Sequence, residues 1–253
     1  MGPGPAPSLA RLAGIHAVQP HRPGCVELAL GDGCHGLLDV AMLADFALGA
    51  AVRAQVGRDQ PLPTLTLTLE FERARFPPGL SVRAWSEPVR SSLGRAQGVL
   101  VSDGVTNGQC CATFTIPADA ARLDPLPWEA PGSAVPAAVH EQPGSSEALL
   151  AAACSASGSS TTLRPAEAML NRSRQVQGAV VFRLAASLPA ALTGDDARLV
   201  SGHLQFLAPA GSGLPVSAHP EVLGEKRRTL FVRTEIRQGD RLVAAGSFVF
   251  RRG

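Results

Sequence analysis

Three side chains able to do acid–base or nucleophilic work lie within eleven residues of one another: His35, Asp39 and Asp45. The surrounding segment, Leu37 to Val52, lacks proline and is rich in good helix formers, which predicts a helix of about four turns. On such a helix the two aspartates stand six residues apart, about 240° around the axis, so they face different surroundings. Asp45 has Ala41 and Met42 behind it and Leu48 ahead on the same side. Its carboxylate would leave water at a cost of several kcal/mol unless it is paired or used. Two readings stay open for it: a buried acid paired with an arginine, or a desolvated acid kept for catalysis. Gly36 precedes the helix, and a glycine there lets a ligand approach backbone N–H groups that attract negative charge. Asp39 reads as a capping or structurally paired acid and as the fallback if Asp45 is inert.

The helix that must position these groups is apolar nearly all round, so other elements have to cover it on every side. Apolar residues make up 45% of the 253 residues and charged residues 17%, a globular composition. A net charge of +2 gives no case for nucleic acid as a partner. The cations are almost all arginine, with a cluster at Lys226-Arg227-Arg228 and another at Arg251-Arg252; such clusters serve as solvated surface or as a seat for a phosphorylated ligand. The five cysteines, Cys25, Cys34, Cys110, Cys111 and Cys154, lack metal-ligand spacing and suggest free thiols in a reducing compartment. His16, His21, His140, His203 and His219 show no spacing that would build a metal site. We expect no metal, no cofactor, no signal peptide and no membrane span, hence a cytoplasmic protein.

Along the chain, Pro7 to Ala13 predicts a short helix, and Gly14 to Leu30 one or two strands broken around Pro20 to Pro23. Thr64 to Phe71 alternates strictly, with leucines and Phe71 expected on one face and threonines and Glu70 on the other. Strands are expected at Leu80–Val89, Arg95–Ser102 and Gly108–Ile116. A proline- and alanine-rich linker follows. The organisation then repeats: a short helix at Glu147–Cys154, a strand at Thr161–Met169, an apolar helix opened by Gln177-Gly178 and ended at Pro189, and strands at Leu199–Leu207, Leu214–Leu223, Arg228–Arg237 and Arg241–Phe250. Leu204-Gln205-Phe206 answers Leu69-Glu70-Phe71, and Pro209-Ala210-Gly211 answers Pro77-Pro78-Gly79. The same order of elements twice implies duplication. The expected units are residues 1–117, a linker at 118–146, and residues 147–253.

With His35-Gly36, Leu43-Ala44-Asp45-Phe46-Ala47-Leu48-Gly49, the threonine-rich strand Thr64 to Phe71 and Gly94-Arg95 in this order, the chain resembles the PaaI-type acyl-CoA thioesterases of the hotdog superfamily, more strongly in the first half. It departs from their pattern where Leu37 replaces the second glycine of His-Gly-Gly and where His35 lies one residue further from the acid. In the second half, Gln177-Gly178 falls on the His-Gly position, while Ala186, beside Ser187, falls on the acid position. The resemblance implies an α+β fold of two tandem hotdog domains, each a curled antiparallel sheet wrapped around a long central helix, joined as an intramolecular pseudo-dimer with active sites at the interface.

Thioester hydrolysis is the function this resemblance implies, with an acyl-CoA or acyl-carrier thioester as partner. Asp45 would be nucleophile or general base, Gly36 and Leu37 backbone donors to the oxyanion, and His35 or Gln177 a positioning group. Asn171 and Gly178 would help bind substrate across the interface, with the acyl chain between the two central helices. Arg73, Arg95 and Arg227 would face the carrier phosphates. A homodimer of two double-hotdog chains is compatible with this arrangement. A hydratase on the same fold would want an Asp–His pair in a loop pattern that the sequence lacks. The rival of another class is a non-catalytic acyl-CoA-binding or sensor protein, which the missing acid at Ala186 favours.

Overall fold

The computed structural model describes residues 9–18, 25–31, 35–72, 76–123, 145–188 and 197–253. The first half runs α1 (Leu9–Leu12), β1 (His16–Val18), β2 (Val26–Ala29), α2 (Leu37–Val56), β3 (Thr64–Phe71), β4 (Ser81–Ser86), β5 (Leu93–Ser102) and β6 (Val105–Thr115). The second repeats that order with α3 (Ser145–Ala153), β7 (Cys154–Ser157), β8 (Ser160–Leu163), α4 (Gly178–Ala185), β9 (Arg198–Phe206), β10 (Val216–Lys226), β11 (Thr229–Gln238) and β12 (Arg241–Arg251). The Thr161–Met169 strand is shorter than expected, because Pro165 ends it and a 3-10 turn takes over at Glu167–Met169. The expected helix ends one residue early, at Ala153, and Cys154 instead opens β7, which pairs with β8. Its Ser/Ala composition carries no alternation that would mark a strand.

Among the described residues, twelve strands form one antiparallel sheet, ordered β1-β2-β4-β5-β6-β3-β9-β12-β11-β10-β8-β7. The order is palindromic about the β3–β9 seam, where Thr66 pairs with Gln205, Thr68 with His203 and Glu70 with Ser201. Thr68 Oγ1 and His203 Nδ1 meet at 2.8 Å across it. The spacing that matches Phe71 to Phe206 also matches Thr68 to His203, so each stands opposite its own counterpart and the pseudo-two-fold axis passes between them. This corrects the expectation of two separately curled sheets: a single open sheet runs through both halves. The reason is hydrogen bonding, since β3 and β9 would each present an unpaired edge if the halves closed alone.

The helices pack on the sheet. From Leu38 to Ala44 every residue of α2 is buried, because the helix rests on strands of its own half and against α4. Gly94 allows the close approach: a Cβ there would stand 2.4 Å from Val52 Cγ1. The core is continuous between halves and joins Leu43, Leu48, Leu67 and Leu69 to Phe182, Leu204 and Phe248. Among the described residues, no helix is long and apolar enough to cross a membrane.

Candidate active site

Asp45 projects from the middle of α2 toward the start of α4. A Cβ placed on Gly178 would stand 3.5 Å from Asp45 Oδ2 and 3.5 Å from Phe206 Cζ. The acid of the first half, the helix start of the second and the end of β9 therefore converge on one spot. Burial pushes the Asp45 carboxyl up from the ordinary 3.8 to about 6, against the opposing pull of a hydrogen bond from Thr64 and the charge of Arg53. Of the two readings open to this acid, the arginine-paired one fits poorly: Arg53 acts on it only as the weakest of three influences, while its Nε donates to the Gln60 carbonyl at 3.3 Å.

Thr64 Oγ1 donates to Asp45 Oδ1 at 3.1 Å. Strict alternation expects this threonine on the outer face, with Thr66 and Thr68. The strand bulges instead. Thr66 opposes Thr113, but Thr64 opposes Phe114, which leaves Leu65 as the extra residue and turns Thr64 to the helix side with buried Phe114. No sequence signal marks that bulge, and Thr64 escapes a reading based on period alone.

At the start of α4, Gln177 N–H donates to the Met169 carbonyl, and Val180 and Val181 N–H turn back to the Gln177 carbonyl. The N–H groups of Gly178 and Ala179 lie in the first turn, where a helix offers them no acceptor of its own. Among the described residues nothing else engages them. They are available donors beside a carboxylate. Gln177 is buried; its Nε2 donates to the Leu170 carbonyl at 3.4 Å, and its Oε1 has no partner among the described residues.

The remaining candidates lie elsewhere. His35 turns away from Asp45: its Nε2 donates to the Gly31 carbonyl at 2.7 Å, and its Nδ1 is 3.8 Å from Asp39 Oδ2. Asp39 caps α2, accepting from Gly36 N–H at 3.0 Å and from Ser146 Oγ. Gly36 is thus engaged, and next to Leu37 the Leu38 N–H donates to Glu147 Oε1 at 2.8 Å. The oxyanion donors expected at Gly36-Leu37 lie at a helix end already filled by the protein's own carboxylates. Asn171 is exposed, and its Oδ1 accepts from Ser173 and Gln175 N–H within its own turn. Arg95 opposes Thr113 on the outer face of the sheet, while its neighbour Gly94 faces the helix. Arg227 occupies an exposed hairpin tip with φ 57°. Register places that hairpin beside Arg251 and Arg198, at the opposite end of β9 from Phe206. Arg73 lies outside the described residues.

Residues 144–251 match the model of the acyl-CoA thioesterase N-terminal domain family. The match falls on the second half, although the motifs read from sequence are stronger in the first. No curated protein matches the sequence. Among solved structures, the chain is similar to the 12:0-ACP thioesterase from Umbellularia californica, with 12% identity, 91% of this chain and 95% of that chain covered, and a TM-score of 0.62. It is similar as well to the tesB protein of Mycobacterium avium subs paratuberculosis, at 9% identity over 97% of this chain and 98% of that one, TM-score 0.65. A conserved protein of unknown function with hot dog fold from Alicyclobacillus acidocaldarius superposes at 11% identity over 97% of each chain, TM-score 0.58. At these identities the likeness establishes architecture alone: a hotdog-like α+β fold, here with the same order of elements occurring twice.

Proposed function

We propose that this protein hydrolyses an acyl thioester, carried by coenzyme A or by an acyl carrier protein, in one site formed where its two halves meet. The observation that carries the reading is the approach of the Asp45 carboxylate to the first residue of α4, within reach of N–H groups that lack an acceptor. The family match over the second half supports it, and the His35-Gly36 and Leu43-to-Gly49 motifs favour a PaaI-like relationship.

In the proposed reaction the thioester carbonyl lies against Gly178 and Ala179 N–H, which stabilise negative charge developing on its oxygen. Asp45 takes a proton from a water molecule, and the resulting hydroxide adds to the carbonyl carbon. Gln177 Oε1, a buried acceptor one residue before the helix, is suited to orient that water. Collapse of the tetrahedral adduct breaks the C–S bond, and the proton held by Asp45 passes to the departing thiolate. Direct attack by the carboxylate, through an acyl-enzyme anhydride, uses the same groups. Thr64 holds the carboxylate in place. The acyl chain would lie between α2 and α4.

Release of free thiol from short, long and aryl acyl-CoA thioesters, followed with a thiol-detecting reagent and repeated with acyl carrier protein, tests the proposal. Hydrolysis abolished in Asp45→Asn is the expected result. Binding without release of thiol would favour the non-catalytic acyl-CoA-binding alternative, to which the loss of the second acid at Ala186 lends support.

A further inference from the structure

The pseudo-two-fold axis at Thr68 and His203 carries the Asp45–Gly178 site onto a second location, built from the start of α2 and the end of α4. The acid is missing there, since Ala186 and Ser187 stand where Asp45 would be. Its hydroxyl partner is missing too. The strand bulge recurs, with Val249 opposing Ser201 and Phe250 opposing Leu199 so that Val200 is the extra residue, but the counterpart of Thr64 is Leu199. Acid and hydroxyl are both absent there, while the bulge that accompanies them in the first half is present.

A helix start left facing that pocket would hold buried N–H groups without acceptors, which is costly. The structure fills it from within. Glu147 of α3 reaches across from the second half, and its Oε1 accepts from Leu38 N–H at 2.8 Å. A Cβ on Gly36 would stand 2.2 Å from Glu147 Cγ, so the carboxylate enters only because residue 36 is glycine. Behind it, Arg183 Nε donates to both Glu147 oxygens at 3.1 and 3.2 Å, and Arg183 Nη1 donates to Ser187 Oγ at 2.8 Å. Ser187, next to Ala186 at the position that matches Asp45, is itself tied to this ion pair.

We infer that Glu147 is the resident occupant of this second seat, placing its own carboxylate where the first seat would take a thioester oxygen, so that each chain engages one thioester. The number of working sites rests on the thioesterase reading; the occupied seat does not.

The test uses Glu147→Ala in the full chain, with thermal midpoints measured in sodium acetate and in sodium chloride at matched ionic strength. We expect the variant to melt lower than wild type, and acetate to restore about 2–5 °C in a saturable way by binding the vacated seat. Wild type should gain less from acetate, since only the Gly178–Ala179 start, common to both proteins, is open in it. Equal midpoints of the variant in the two salts, or the same acetate gain in wild type, would overturn the inference. Should the variant not fold, the Leu38 amide in the wild-type nitrogen–proton NMR spectrum decides the matter. It should stand downfield in wild type, as a donor to a charged acceptor does, and move upfield in Glu147→Gln; a Leu38 amide at the same position in both proteins overturns the assignment. Calorimetric titration of wild type with a ketone analogue of decanoyl-coenzyme A, CH2 replacing sulfur, then counts sites. One per chain is expected and two overturns the sealed seat, while none counts against the thioesterase reading and leaves the seat to the acetate result.

Discussion

Thr64 Oγ1 reaches the Asp45 carboxylate, at 3.1 Å, only because β3 bulges at Leu65. The hydroxyl favours the charged form of an acid that burial otherwise pushes toward the neutral one. Replacing Thr64 with valine should raise the midpoint of the acid limb of kcat/KM above that of wild type and lower turnover about 10- to 100-fold, the worth of one hydrogen bond to a charged group. Thr64→Ser should restore both. A midpoint that stays fixed in the valine variant would show the hydroxyl to be structural only.

Removing the charge itself separates chemistry from stability. Asp45→Asn should lower thiol release by about 10³-fold or more while leaving the far-UV circular dichroism unchanged. Because the carboxyl is raised to about 6, the folded chain holds that proton more tightly than the unfolded chain. The ionised form therefore costs stability: nothing below about pH 4, increasingly between 4 and 6, and fully above 6. The asparagine variant should be more stable than wild type at pH 7.5 by about 1–3 kcal/mol, allowing for the partial exposure of Asp45. The difference should shrink toward pH 4, as read by urea unfolding at the two pH values.

The same raised value sets the pH–rate profile. The proposed hydrolysis uses the carboxylate, so on that proposal kcat/KM should be flat above pH 7 and fall about tenfold per unit below 6. An acid limb centred near 4 would mean that water reaches Asp45 freely.

Gly178 tests the space rather than the charge. A methyl group there meets Asp45 Oδ2 and Phe206 Cζ at ordinary contact distance, and alanine suits a helix better than glycine. Gly178→Ala should fold with unchanged or slightly higher thermal stability. It should nevertheless lose at least about tenfold in kcat/KM, because the methyl fills the gap between acid and helix where the proposed reaction puts the carbonyl.

The architecture was largely legible in the sequence and the site only in part. The answering triplets Leu69-Glu70-Phe71 and Leu204-Gln205-Phe206 reveal the duplication and, through their spacing, the residue pair at the seam. Apolar residues all round α2 foretell its burial, and Asp45 is conspicuous as an acid within it. Period cannot reveal a bulge, so Thr64 reads as outward-facing. Nor does it reveal which helix start is free: His35-Gly36 and Gln177-Gly178 look equivalent as strings, and the difference is made by Glu147, which arrives from a segment more than a hundred positions away in the chain. Arg95 and Arg227 read as phosphate ligands because cations are conspicuous in a sequence, while the face they occupy is fixed by strand register.

The β3–β9 seam joins the repeats on one polypeptide, and this has an evolutionary corollary. In an assembly of two identical subunits any mutation strikes both catalytic centres at once, so neither can drift without the other. Tandem copies escape that bond: each repeat can change alone, and this chain carries Asp45 in one repeat where the other carries Ala186.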